Sequence, residues 1–177
     1  MIISLIRHTS VLLDGSTTCY GQTDVDVSSN FFVEAETLKK SISHLNPEAV
    51  FSSPLKRARK LADYIGFSPI IEDDRLKELN FGQLELREWS EILHEVDVEK
   101  FFEHHIEHPF PNGESLLQQQ TRVKEFFDEK KNLGLKHIMV FCHGGVINCV
   151  RSLVNQQPLR EIFTAMAPFA THIPIEY

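Results

Sequence analysis

Residues 137–154 read HIMVFCHGGVINCVRSLV. An apolar run of strand length, HIMVFC, stops at His143, and Gly144-Gly145 opens a helical pattern with no loop between. A strand that passes straight into a helix is the repeating unit of α/β folds, in which strands alternate with helices and lie mostly parallel. In such sheets ligands gather outside the carboxyl ends of the strands. A helix N-terminus preceded by small residues also offers free N–H groups and a favourable dipole to an anion. His143 therefore stands where such a protein keeps its chemistry.

The same grammar recurs toward the N-terminus. Ile2–Ile6 is an apolar run compatible with a strand buried on both faces, and it ends in Arg7-His8-Thr9. Residues 9–30 are rich in Ser, Thr, Gly and Asp and read as a loop. Phe32, Ala35, Leu38, Ile42 and Leu45 recur at helical spacing and stop before Pro47. AVFSS is the next strand; Ser53 as N-cap and Pro54 at the first helical position would start a helix with Leu55, Ala58, Leu61, Ala62 and Ile65 inward, closed by Gly66. PIIED reads as a further strand. The spacing predicts one helix from Arg87 to about His105, with Trp89, Ile92, Leu93, Val96 and Phe101 on one side. Another covers 114–132, with Leu116, Leu117, Val123, Phe126 and Phe127 inward. THIPIEY suits an edge strand, because Pro174 cannot donate to a ladder. The expected architecture is a single α/β domain over 1–177, a mostly parallel sheet between two helical layers.

Composition narrows the function classes. A chain of 177 residues can bury roughly 70% of its unfolded surface without staples. With 25 acidic and 18 basic side chains the formal charge is −7, which disfavours nonspecific binding to nucleic acid or to an anionic membrane. Cys19, Cys142 and Cys149 show no CxxC spacing, and an odd count argues against a disulfide framework. Cys142 and Cys149 read as core thiols of a reducing compartment. Ile2–Ile6 is too short for a signal peptide and lacks a basic leader, and no stretch has the length of a membrane span. The expectation is a cytoplasmic protein whose oligomeric state the sequence does not reveal.

Three strand ends thus carry LIRHT, FSSPLKRAR and VFCHGG. They would bring His8, His143, Arg7 and Arg57 into one crevice. Two guanidinium forks suit a phosphoryl group, whose oxygens they match bidentately. A rival reading of FFEHHIEHPF puts His104 and His108 four residues apart on a helical face as metal ligands, but the HExxH order is missing. Paired phenylalanines, Phe101-Phe102 and Phe126-Phe127, read as packing aromatics. No metal and no cofactor is expected.

LIRHT, FSSPLKRARKLA, KELNFGQLE and VFCHGG, in that order and spacing, resemble the histidine phosphatase superfamily, with its phosphoglycerate-mutase-like fold. TTCYGQTDV and PNGESL resemble more narrowly the α-ribazole-5′-phosphate phosphatases of cobalamin synthesis. The resemblance implies His8 as the nucleophile that takes the phosphoryl group. It implies Arg7, Arg57 and His143 as holders of its oxygens and Glu78 as proton donor to the leaving alkoxide. Glu85 is a second carboxylate in the same segment. Thr9, Tyr20, Gln22 and Gly144 are assigned to substrate binding, with packing as the alternative for Tyr20. Thr9 stands where the family usually has Gly, Ser10 where Glu commonly follows, Asp14 where Asn is frequent, and Leu86 where Gly often ends the third motif. The partner is a small phosphate ester. The resemblance implies hydrolysis through a phosphohistidine; a phosphoglycerate-mutase-type transferase, a broad sugar-phosphate phosphatase and a non-catalytic phospholigand module are the alternatives.

Overall fold

The structure is a computed structural model that describes residues 1–94, 96–159 and 166–177. Its centre is a five-stranded sheet built from β1 (Ile2–Arg7), β2 (Ala49–Ser52), β3 (Ile70–Glu72), β4 (His137–Cys142) and β5 (His172–Glu176). Their order across the sheet is β3-β2-β4-β1-β5. The first four run parallel; β5 is the antiparallel edge strand, with Pro174 opposite Ser4.

Both faces of the sheet are covered, which is why β4 is apolar at consecutive positions after His137 and β1 is interrupted before Arg7 only by Ser4, whose hydroxyl meets His137. On one face Ile6, Val50, Met139 and Phe141 pack with α1 (Phe31–Ile42) and α2 (Lys56–Ile65). On the other, Ile3, Leu5, Phe51, Ile138 and Val140 pack with Phe126, Phe127, Val146 and Val150 of α5 (Leu116–Asn132) and α6 (Gly144–Asn155). Each fully buried Phe or Leu contributes about 1.5–3 kcal/mol of transfer free energy. Ser115 opens α5 with a reciprocal capping box to Gln118, which satisfies two of the end's free donors. Cys19, Cys142 and Cys149 are buried free thiols. Burial pushes the Cys19 thiol up to about 12, so it is an inert packing group.

Four expectations need correction. The helical stretch 87–105 is two helices, α3 (Trp89–Ile92) and α4 (Val98–Glu107), because Asp97 accepts from the Lys100 amide and starts a new helix. Val96, between them, is exposed rather than inward. In α1 it is Phe31 that is buried, against Tyr64 of α2, while Phe32 is 67% exposed. Leu117 points outward, since one residue past Leu116 turns about 100° around the axis. Finally, α2 begins at Lys56: the Ser53 hydroxyl meets the Leu55 amide at 3.3 Å and His143, so it is not a simple N-cap.

Candidate active site

β1 and β4 are neighbours in parallel register, with Arg7 opposite Cys142. The residues that follow them therefore emerge side by side, and the rings of His8 and His143 lie 5.2 Å apart. β2 is the next strand over and delivers Ser53 and the first turn of α2, which carries Arg57. Glu78 comes from the irregular segment between two 3-10 turns, Asp74–Leu76 and Gly82–Leu84. Arg7, His8 and Glu78 line a cleft of about 480 Å³, together with Gly145 and Gln119. His8, Arg57 and His143 are all at least 98% buried. His8 is thus part of the buried floor, not of an open loop edge.

The hydrogen bonds assign the protons. His8 Nδ1 lies 2.7 Å from the Thr9 carbonyl oxygen, which can only accept, so Nδ1 donates and Nε2 is left unprotonated. Burial, then the nearby charges of Arg57 and Arg7, holds the imidazole well below its usual pKa and keeps it neutral. His143 is likewise held well below the usual range, by burial first and then by Arg57 and His8. Its Nε2 lies 2.8 Å from the Ser53 hydroxyl. Arg57 donates to the Thr23 carbonyl at 3.0 Å and the Gly21 carbonyl at 2.5 Å. Arg7 donates to the Ala167 carbonyl and sits 4.1 Å over the Phe169 ring. Burial lowers the pKa of both guanidinium groups, and Glu78 opposes that shift in each.

Glu78 rests on the start of α6. Its carboxyl accepts from Gly145 N at 3.0 Å, from Gln119 Nε2 at 3.0 Å and from its neighbour Leu79 N at 2.9 Å. A β-carbon at position 145 would lie 2.2 Å from Glu78 Oε1. Glycine there is what lets the carboxyl reach the helix end.

Among the described residues, five buried side-chain polar atoms have no hydrogen-bond partner: Arg7 Nε, Thr9 Oγ1, Arg57 Nε, His143 Nδ1 and His172 Nε2. Four of them belong to residues gathered around His8; of these Arg7 lines the cleft, while Thr9, Arg57 and His143 are fully buried behind it and are not lining residues. Buried polar groups are otherwise paired almost without exception, so a cluster of unpaired ones marks a place that could receive a ligand with several polar atoms. A tetrahedral oxyanion has that form.

Of the remaining sequence candidates, Tyr20 lines the cleft, with Arg57 5.5 Å over its ring. Gln22 does not line it: its amide turns to the Glu78 carbonyl at 3.1 Å and serves as a brace. Gly144 is not a lining residue either; a β-carbon there would stand 2.8 Å from Met166 Sδ, so the glycine makes room for that side chain, with the Arg7 guanidinium in ordinary contact at 3.5 Å. Glu85 is also absent from the lining and is engaged by backbone amides. The upper wall comes from Phe81, Trp89, Phe102, Met166 and Phe169, with Asp14 at the polar side. Phe102 packs against Phe101 and Trp89, as its reading as a packing aromatic has it, and in addition lines the cleft. Gln119 was missed, although a glutamine at a core position of α5, between Leu116 and Val123, was its signal. His104 and His108 are stacked rings 4.2 Å apart, and His108 Nδ1 is spent on the His104 carbonyl. No group of three or more candidate metal ligands exists among the described residues, and no helix there is long and apolar enough to cross a membrane.

Comparison with known proteins agrees with this geometry. Residues 3–175 match the family model described as "Histidine phosphatase superfamily (branch 1)". The chain is 31% identical to phosphoserine phosphatase 1 of Hydrogenobacter thermophilus over 71% of its own length and 62% of that protein. It superimposes on a crystal structure of phosphoglycerate mutase from Thermus thermophilus with a TM-score of 0.77 and 29% identity, covering 100% of this chain and 94% of that one. The α-ribazole phosphatase of Shigella flexneri shares the fold, with a TM-score of 0.83 at 21% identity over 99% and 90% of the two chains.

Proposed function

This chain belongs to the histidine phosphatase superfamily, and from that premise we propose that it is a phosphomonoesterase working through a phosphohistidine on His8. The observation that carries the reading is the cluster of unpaired buried polar atoms on Arg7, Thr9, Arg57 and His143 around a neutral His8. A phosphoryl group seated on the floor would accept from Arg7 Nε, Arg57 Nε and the Thr9 hydroxyl. It would also take a proton bond from His143 Nδ1 when Ser53 donates to Nε2. His8 Nε2 attacks phosphorus, the N–P bond forms, and the ester P–O bond breaks. The leaving alkoxide takes a proton from the Glu78 carboxyl, which enters this step as the general acid. Water then attacks the phosphohistidine, Glu78 takes its proton, and inorganic phosphate leaves with His8 neutral again. The positive charge needed to stabilise the transferring group comes from the two guanidinium groups already in place.

The aromatic wall supports an ester whose alcohol carries a flat ring, with α-ribazole 5′-phosphate the leading candidate, as the fold likeness to the α-ribazole phosphatase suggests. The phosphoglycerate-type alternative needs a cation for the substrate carboxylate. Among the described lining residues the only cationic side chain is Arg7, which serves the floor, and Asp14 adds negative charge at the wall. Three buried free thiols, Cys19, Cys142 and Cys149, support a reducing, cytoplasmic setting.

Rapid quench of the wild-type protein with a radiolabelled aryl phosphate should trap an acid-labile phosphoenzyme, and His8→Ala should abolish both the adduct and turnover. Near-normal turnover by His8→Ala would sink the mechanism. A wild type that binds phosphate esters and turns none over would favour the non-catalytic module. A panel of esters that includes α-ribazole 5′-phosphate and phosphoglycerate ranks the substrate readings.

A further inference from the structure

We propose that Glu85 is a positioning residue for Arg57, acting through the three-residue segment Gly21-Gln22-Thr23. The inference rests on the phosphatase reading above and extends it to a carboxylate outside the cleft. Both Glu85 oxygens are committed. Oε1 accepts from Gln22 N at 2.9 Å and from Phe81 N at 3.2 Å. Oε2 accepts from Thr23 N at 2.6 Å and from the Thr23 hydroxyl. The two carbonyls that hold the Arg57 guanidinium are those of Gly21 and Thr23. One carboxylate therefore pins the segment from its N–H side while Arg57 binds its C=O side.

The segment has no freedom to stand elsewhere. A β-carbon at Gly21 would lie 1.7 Å from the Leu79 carbonyl oxygen, so the chain passes in direct contact with the stretch of backbone that carries Glu78. Gln22 bonds that backbone as well, at the Glu78 carbonyl. The consequence for Arg57 is specific. With one N–H of each terminal nitrogen given to a fixed carbonyl, the planar fork can take only one orientation. Its Nε–H stays buried and unpaired for an incoming oxyanion. Release of the segment would let a buried cation rotate or recruit water, and the prepaid geometry would be lost. Charge-assisted bonds from a carboxylate to backbone N–H groups are among the stronger ones available for such a task.

A double-mutant cycle on the full-length protein tests this, with orthovanadate as the probe ligand and its dissociation constant read by calorimetry. Glu85→Gln puts an NH2 against donors that need an acceptor. It should weaken vanadate about tenfold in the wild-type background, as loss of one charged hydrogen-bond system would. In an Arg57→Ala background the same change should cost less than twofold, because the group it positions is gone. Losses that multiply equally in both backgrounds, or no loss in a folded Glu85→Gln protein, would overturn the proposal. If Glu85→Gln does not fold, Thr23→Val removes only the hydroxyl donor to Oε2. It should lose a few-fold in the wild-type background and nothing with Arg57→Ala, and equal losses in the two again overturn the proposal. Wild-type protein that does not bind vanadate would refute the phosphatase reading and this inference with it; additive losses refute this inference alone.

Discussion

The floor and the upper wall of the cleft are made of different material. The floor is delivered by strand ends and helix starts: His8 after β1, Arg57 in the first turn of α2, and His143 and Gly145 at the start of α6. Its side chains are buried, and most of its polar atoms have one named partner. The wall is drawn from short helices and irregular chain, with Phe81 before a 3-10 turn, Trp89 in the four-residue α3, Phe102 in α4, and Met166 and Phe169 before β5. Its cohesion is edge-to-face aromatic contact, Phe81 to Trp89 at 5.6 Å, and a bond from Trp89 Nε1 to the Gly15 carbonyl. The rigid part holds charge and can be asked to move a phosphoryl group. The apolar part meets that chemistry at Phe169, which packs on Arg7 and His8, while elsewhere on the lining Trp89 packs with the rings of Phe81 and Phe102.

The largest effect expected from breaking this division is at Glu78. Glu78→Gln should slow the chemical step for an alkyl phosphate by about 10²- to 10⁴-fold, the usual range for general acid catalysis. A nitrophenyl phosphate, whose leaving group departs as a stabilised anion, should lose much less. Single-turnover rates with the two esters make the comparison, and equal losses would mean that Glu78 only positions its neighbours.

A second test uses protons. His8 and His143 are neutral in the fold because burial holds them well below the ordinary value of 6.5. The unfolded chain takes up protons below that value while the native floor does not. Their contribution to stability is therefore whole above pH 6.5 and is lost as pH falls from there toward the folded-state values. The slope approaches about 1.4 kcal/mol per pH unit for each imidazole. Urea unfolding from pH 7 to 5 should show a steep loss in wild type and a shallower one in His143→Gln; parallel curves would contradict the buried neutral floor.

The smallest effect belongs to the wall. Phe102→Ala should raise KM for a ring-bearing ester about 3- to 10-fold, the scale of one aromatic contact. The kcat for a small alkyl phosphate should stay within twofold. A fall in kcat for both esters would show that wall and floor are mechanically one.

What the sequence alone determined was the parallel α/β order and the residues of the floor. Those features are local: an apolar run, then a histidine or small residues, then a helix start, repeated at LIRHT, FSSPLKRAR and VFCHGG. Where a strand ends and a helix begins is written in a few adjacent residues, and parallel register carries His8 and His143 together without further instruction. Tertiary structure alone decided the rest. Periodicity marks that a helix has an apolar face but not what lies opposite it, so Phe31 and Phe32, both against Tyr64, could not be ranked until Phe31 joined the cluster under the sheet. Likewise Phe102 was indistinguishable from a core aromatic until α4 stood over the cleft. Glu85 read as a spare acid because hydrogen-bond donors some sixty residues distant in the chain, on Gln22 and Thr23, are what consume it. A side chain's role depends on the partners that saturate its polar atoms or cover its apolar surface, and those partners arrive only when the chain has folded.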